Sequence, residues 1–183
     1  MEQREKRLKR VALKCGDFAK QISYHRAFRK YKGSLKLNFW IATFNNAIDL
    51  AVLDWFHLFG YQNDDLHWKR VVSDNDKFRY GLFNYLNLSK EEFEAYRNEI
   101  KAYRDKDIAH IEIRPVSNVP GMSIALKACN YYNKYVLKEL FTFGDYSKWP
   151  NDLMEYYQKS LEQAENVLSV AYEATKNINE TVF

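Results

Sequence analysis

The stretch Arg104-Asp105-Lys106-Asp107-Ile108-Ala109-His110 places a permanent cation, two carboxylates and an imidazole within seven residues. An imidazole takes or gives a proton near neutral pH, and a guanidinium grips the charge of a phosphorane. Together Arg104 and His110 suit phosphodiester cleavage, with His110 handling the proton of a ribose hydroxyl. Their spacing sets a geometric condition. Six residues along an ideal helix turn through about 600°, leaving the two side chains about 120° out of phase over a rise of about 9 Å. Either the long Arg104 side chain folds along the helix, or the helix loosens before His110. A third route is two copies of the chain meeting across a symmetry axis. The structural alternative has Arg104 in a surface ion pair with an Asp and His110 satisfied in the core.

A long helix must carry these residues. Ser89 and Glu92 form a capping box, which satisfies N–H groups at the start of a helix over about Lys90 to Ile111. Phe93, Tyr96, Ile100 and Tyr103 follow at steps of three and four, the spacing of a buried stripe. The next two stripe positions are Asp107 and His110. Burying such groups costs several kcal/mol unless they are paired or working, so the seam marks a candidate site.

The string YRDKDIAHIE resembles the signature of the HEPN superfamily (higher eukaryotes and prokaryotes nucleotide-binding domains), closest to its abortive-infection and phage-defence branch. In that family an Arg, usually followed by a polar residue, precedes a His with four to six residues between them. Here Asp105 follows Arg104 and five residues separate Arg104 from His110. The resemblance rests on the motif and its helical context; the rest of the chain agrees in architecture alone. It implies a metal-independent endoribonuclease acting as a homodimer, with two Arg/His pairs forming one composite cleft and no cofactor. Arg104 would bind the scissile phosphate, His110 would activate the ribose 2′-hydroxyl, and Asp105 would hold Arg104, with Asp107 supporting. RNA is then the substrate and an antitoxin protein a possible partner. Some toxin members carry a Tyr two residues after the His, modified by a partner nucleotidyltransferase; Glu112 stands there instead, which departs from that version. A non-catalytic HEPN-like module binding nucleotide, RNA or a protein is the runner-up, and a helical adaptor with a fortuitous Arg/His pair is a third reading.

Other chemistry is less well supplied. Asp54 and His57 lie one turn apart with Asp64, Asp65 and His67 downstream, but a metal site needs three or four convergent ligands. Ordinary capping or core pairing is the expectation for these residues, and a core position is the expectation for His25. The exposed members of the fourteen tyrosines could stack on bases. Gly-rich phosphate loops, GxSxG and HExxH motifs are absent from the sequence.

Composition bounds the setting. With 46% apolar, 16% aromatic and 28% charged residues, the 183-residue chain is expected to be one helical domain over 1–183. Gly (6) and Pro (3) are scarce, which favours helices. The N-terminal segment has no signal-peptide pattern, and the apolar stretch from Leu35 to Phe59 is broken by charged residues, so no membrane span is expected. Two cysteines, Cys15 and Cys129, without metal spacing fit a reducing compartment, and a cytoplasmic protein is expected. Residues 1–32 hold eleven Lys/Arg against three Asp/Glu, whereas three stand against eight from Glu139 onward. Such a basic arm attracts phosphate or acidic partners, or is simply a solvated face.

The resulting fold is all-α, an antiparallel bundle of five to six helices. The first helix covers about 2–31, with Val11, Cys15, Phe18, Ile22 and His25 inward. The second, capped by Ser34 and running to Phe59, is apolar over so much of its surface that it is placed at the centre. Tyr61 to Asp74 reads as a structured loop anchored by Leu66 and Trp68. A short helix over Asn75–Leu86 precedes the motif helix. Pro115, Pro120 and Gly121 break the chain, a helix spans Ser123–Phe143, and Pro150 opens the last helix, which frays after Ala174.

Overall fold

The computed structural model describes residues 2–109 and 119–178, without the side chains of 107–109. Every regular element described is helical. In order they are α1 (Glu2–Phe28), α2 (Asn38–Trp55), α3 (Trp68–Val71), α4 (Asn75–Leu86), α5 (Lys90–Tyr103), α6 (Ser123–Leu140) and α7 (Leu153–Thr175). A 3₁₀ turn at Arg29–Tyr31 follows α1. Wide π-helical turns extend α2 through Phe56–Gly60 and α5 through Arg104–Ala109. No helix among the described residues is long and apolar enough to cross a membrane.

The hub is α1, which packs against α2, α6 and α7. Its charged sequence conceals one apolar stripe: Leu8, Val11, Cys15, Phe18 and Ile22 are buried at alternating steps of three and four, with Ala19 beside them. Each large side chain so buried contributes about 1.5–3 kcal/mol. Polar ties set the directions. Lys14 pairs with Asp54 near the end of α2 at 2.6 Å, while Phe28 at the end of α1 meets Trp40 near the start of α2, so these helices are antiparallel. Arg4 grips Glu139 through Nε and Nη2 at 2.8 and 2.7 Å and donates Nη1 to the Val71 carbonyl, which sets α6 antiparallel to α1 and ties α3 to both. Lys30 reaches Glu165 at 2.7 Å and the Tyr31 ring meets that of Tyr172 at a tilt, so α7 lies parallel to α1.

That last orientation departs from a purely antiparallel bundle, and so does the place of α2. Its first half lies at the surface, with Phe39 63% exposed. Only Ala47, Ile48, Ala51, Val52, Asp54 and Trp55 of α2 are buried, because α1 already occupies the centre. Ser34 caps nothing; its hydroxyl donates to the Tyr31 carbonyl, and α2 begins after Leu37 with no side-chain cap. Similarly α7 opens at Leu153, not at Pro150, because Asp152 accepts from Met154 N–H at 2.8 Å. Pro150 serves instead as acceptor for Asn133 Nδ2, and Asn130 Oδ1 takes the Leu153 N–H, so two buried asparagines of α6 seat the last helix.

The loop over 61–74 has its expected anchors. Trp68 is buried and opens α3, and the Tyr132 hydroxyl donates to the Leu66 carbonyl at 3.1 Å. Trp55, fully buried, is ringed by Phe56, Phe59, Phe93 and Tyr96, and its indole N–H finds no acceptor among the described residues. This aromatic cluster joins α2 to α5.

Candidate functional site

The motif helix starts as its sequence dictates. Ser89 Oγ accepts from Glu92 N–H at 3.1 Å while Glu92 Oε2 accepts from Ser89 N–H at 2.7 Å. Phe93, Tyr96, Ile100 and Tyr103 are all buried. The Tyr96 hydroxyl donates to the Gly121 carbonyl at 2.8 Å and accepts from Ala125 N–H, locking α5 to the start of α6. Burial pushes its phenol pKa well up, so it stays a neutral donor. Tyr103 donates its hydroxyl to Asp49 at 2.9 Å, fixing the last α-helical turn to α2.

At Arg104 the helix widens into the i→i+5 pattern. Loosening before position 110 was one of the routes by which Arg104 and His110 could approach. His110 lies outside the described residues, as do the side chain of Asp107 and the segment from Ile111 to Asn118 that includes Glu112 and Pro115.

Arg104 is held from three sides. Its guanidinium carbon stands 4.4 Å from the Phe56 ring centroid and 4.7 Å from that of Tyr61, two rings that meet edge to face at 4.9 Å. Nη2 donates to the Tyr61 hydroxyl and pairs with Asp105. Asp105 is itself drawn toward Lys101 at 2.5 Å, one turn back. The Arg104 side chain is only 14% exposed, and its buried Nε has no hydrogen-bond partner among the described residues. A desolvated cation beside aromatic faces is attracted by about 2 kcal/mol, and an unmet buried donor carries a penalty of about 1–3 kcal/mol. The site therefore combines a rigidly placed cation with unused hydrogen-bonding capacity.

Both ring partners come from the widened end of α2, which the sequence did not single out. Gly60 is the one residue that marked the place. A Cβ there would lie 2.3 Å from the Phe56 ring, so only glycine lets Phe56 fold under Arg104. Two widened turns, one on α2 and one on α5, thus meet through the Arg104 side chain.

The remaining titratable candidates are engaged separately. His57 Nδ1 sits 2.6 Å from Asp64 Oδ2, and Asp54 pairs with Lys14. Burial raises the Asp54 pKa and Lys14 opposes that shift. His67 caps α3 by accepting from Lys69 N–H, and burial lowers its pKa to about 4 despite the Phe59 backbone working the other way. No group of three metal-ligating side chains converges among the described residues. His25 was expected in the core; it is instead half-buried, stacked 4.5 Å on Phe44 at the wall of a cleft. Comparison with known proteins gave no matching family model, no matching curated protein and no matching solved structure.

Proposed function

We propose that the chain is a metal-independent endoribonuclease of HEPN type, a toxin or phage-defence effector of the cytoplasm that works as a homodimer. The observation that carries this is the setting of Arg104: a partly buried guanidinium, clamped by Phe56, Tyr61 and Asp105, on a widened turn that leads directly into His110. The ion pair with Asp105 is the contact that the motif's polar position was expected to supply. Preorganised donors stabilise charge that develops in a transition state most effectively where water is excluded. Arg104 Nε, buried and unpartnered among the described residues, is a donor of that kind.

In this mechanism Arg104 binds the scissile phosphate and His110 draws the proton from the neighbouring ribose 2′-hydroxyl. The 2′-oxygen attacks phosphorus and the 5′-oxygen leaves, taking a proton from solvent, which gives a 2′,3′-cyclic phosphate and a 5′-hydroxyl. An antitoxin protein is the natural partner of such an activity. The test is cleavage of single-stranded RNA by the purified protein in excess EDTA. His110→Ala and Arg104→Ala should each lose roughly two to four orders of magnitude while remaining folded. RNA left intact by wild type, or cut equally by both variants, overturns the proposal.

A further inference from the structure

A second apolar cluster stands apart from the main core, where α1, α7 and the start of α2 meet. Ala27, Phe28 and Leu168 are buried in it, while Trp40, Leu161 and Ala164 are half covered. The cover is incomplete because a groove of about 530 Å³ opens onto this cluster along the seam between α1 and α7. That volume suits a small molecule. Neither Arg104 nor any of the side chains that hold it lines the groove.

The seam is graded from polar to apolar. Because α1 and α7 run parallel, residues early in one helix lie beside residues early in the other. Lys20 of α1 meets Tyr156 of α7 at one end, with Tyr24, Ser160 and Gln163 following. Toward the other end come Ala27 and Phe28 from α1, then Ala164, Leu168 and Ala171 from α7. Trp40 shuts this end: its ring lies 5.9 Å from Phe28 on α1, and its indole N–H donates to Thr175 of α7 at 3.0 Å. With that N–H engaged, Trp40 offers the groove only the apolar part of its ring.

The polar end holds capacity that the chain does not use. Lys20 makes no ion pair among the described residues. The Tyr156 hydroxyl beside it raises its pKa, with Asp17 on the same helix a smaller influence, so the ammonium is fully charged at neutral pH. Ser160 is 7% exposed and lines the groove, and its hydroxyl has no hydrogen-bond partner among the described residues. Hydroxyls this well covered are ordinarily satisfied, so an oxygen acceptor seated here would complete it.

We infer that this groove binds a medium-chain fatty carboxylate, its head on Lys20 and Ser160, its chain along Ala164 and Leu168, and its tail against Trp40. One cation at one end matches a single negative charge, and the rest of the groove gains by covering carbon. From Lys20 to Phe28 is eight residues of helix, about 12 Å, which is the extended length of decanoate. Trp40 bridges α1 and α7, so the groove takes a chain that terminates there and not a partner helix running along the whole seam. Binding here is independent of the ribonuclease reading, since the two sites share no residue.

Calorimetric titration of the full chain with hexanoate, octanoate, decanoate and decanol, each below its micellar concentration, tests the assignment without any RNA present. Affinity should rise about two- to fourfold per methylene from hexanoate to decanoate, and decanol should bind about tenfold more weakly than decanoate. Lys20→Met keeps the apolar stem and removes the charge; it should bring decanoate down to the affinity of decanol and leave decanol unchanged. Ala164→Phe, which fills the floor of the groove, should weaken both at least tenfold with a wild-type melting curve. Absence of decanoate binding at millimolar concentration, decanol binding as tightly as decanoate, or unchanged decanoate affinity in either variant would each overturn the proposal. So would capture of the chain by phosphatidylserine vesicles that decanoate fails to displace, which would make the groove a membrane contact.

Discussion

Arg104 and Tyr61, 43 residues apart in sequence, meet in two ways: the guanidinium lies over the phenol ring and its Nη2 donates to the hydroxyl. Tyr61→Phe keeps the ring and removes the acceptor. It should lower stability by about 0.5–1.5 kcal/mol, the usual net worth of one hydrogen bond. If Arg104 works as proposed, RNA cleavage should fall further than that loss explains. Thermal melts beside single-turnover cleavage check both; equal activity in the variant would mean the hydroxyl does not position Arg104.

Asp105→Asn retains shape and deletes the charge that pairs with Arg104. The expected result is roughly a ten- to hundredfold fall in the cleavage rate, because small misplacement of a catalytic group costs about that much. Folding should be little changed, as Asp105 is partly exposed and its other tie, to Lys101, lies on the surface. Circular dichroism with a cleavage assay separates the two effects. Wild-type cleavage by Asp105→Asn would show that the ion pair is ornamental to the chemistry.

Gly60→Ala places a methyl group inside the Phe56 ring as it now stands. Phe56 is buried and has Arg104 on its face, so it cannot swing aside without opening the clamp. A loss of about 1–3 kcal/mol is expected, as for other overpacked cores. Denaturant unfolding measures it, and an unchanged midpoint would mean that the ring is less constrained than its surroundings imply.

Acid should weaken the fold through His67. In the folded chain its pKa is lowered to about 4 by burial, against about 6.5 when exposed. The unfolded state therefore binds the proton more readily. Stability from this group is complete above pH 6.5 and is lost as pH falls toward 4, by up to about 3 kcal/mol. The protonated ring would also lose its role as acceptor for Lys69 N–H. Melting temperatures between pH 7 and pH 4.5 should decline, and His67→Asn, which preserves a capping acceptor, should flatten the decline. An identical pH profile in the variant would assign acid sensitivity elsewhere.

Assembly offers a fifth test. A phosphodiester gripped from both sides by two Arg/His pairs requires a two-fold dimer with the motif helices at its centre. Light scattering should give twice the chain mass at micromolar concentration. A monomer under those conditions would count against the composite cleft.

How much of this was legible in the sequence differs between elements. The motif helix was readable because its signals are local: Ser89 and Glu92 cap each other, and Phe93 to Tyr103 keep one period. The centre of the bundle was not. α2 is the more apolar helix, so hydropathy placed it inside, yet α1 hides a continuous stripe among eleven basic residues of the N-terminal region and takes that position. Burial depends on which stripes face each other, and composition does not report it. Ser34 shows the same limit at short range, since its hydroxyl satisfied the preceding turn before a helix could claim it. At the site, Asp105 was visible as the neighbour of Arg104, whereas Phe56 and Tyr61 became its partners only through the packing of α2 against α5.

The central place of α1 has a consequence for how the protein is made. α1 leaves the ribosome well before α6 and α7, two of the helices that cover its stripe. At ordinary synthesis rates Leu8, Val11, Phe18 and Ile22 wait on the order of ten seconds for their final neighbours. During that interval α2 can cover the stripe, and the like charge of the basic side chains along α1 opposes its association with a second copy.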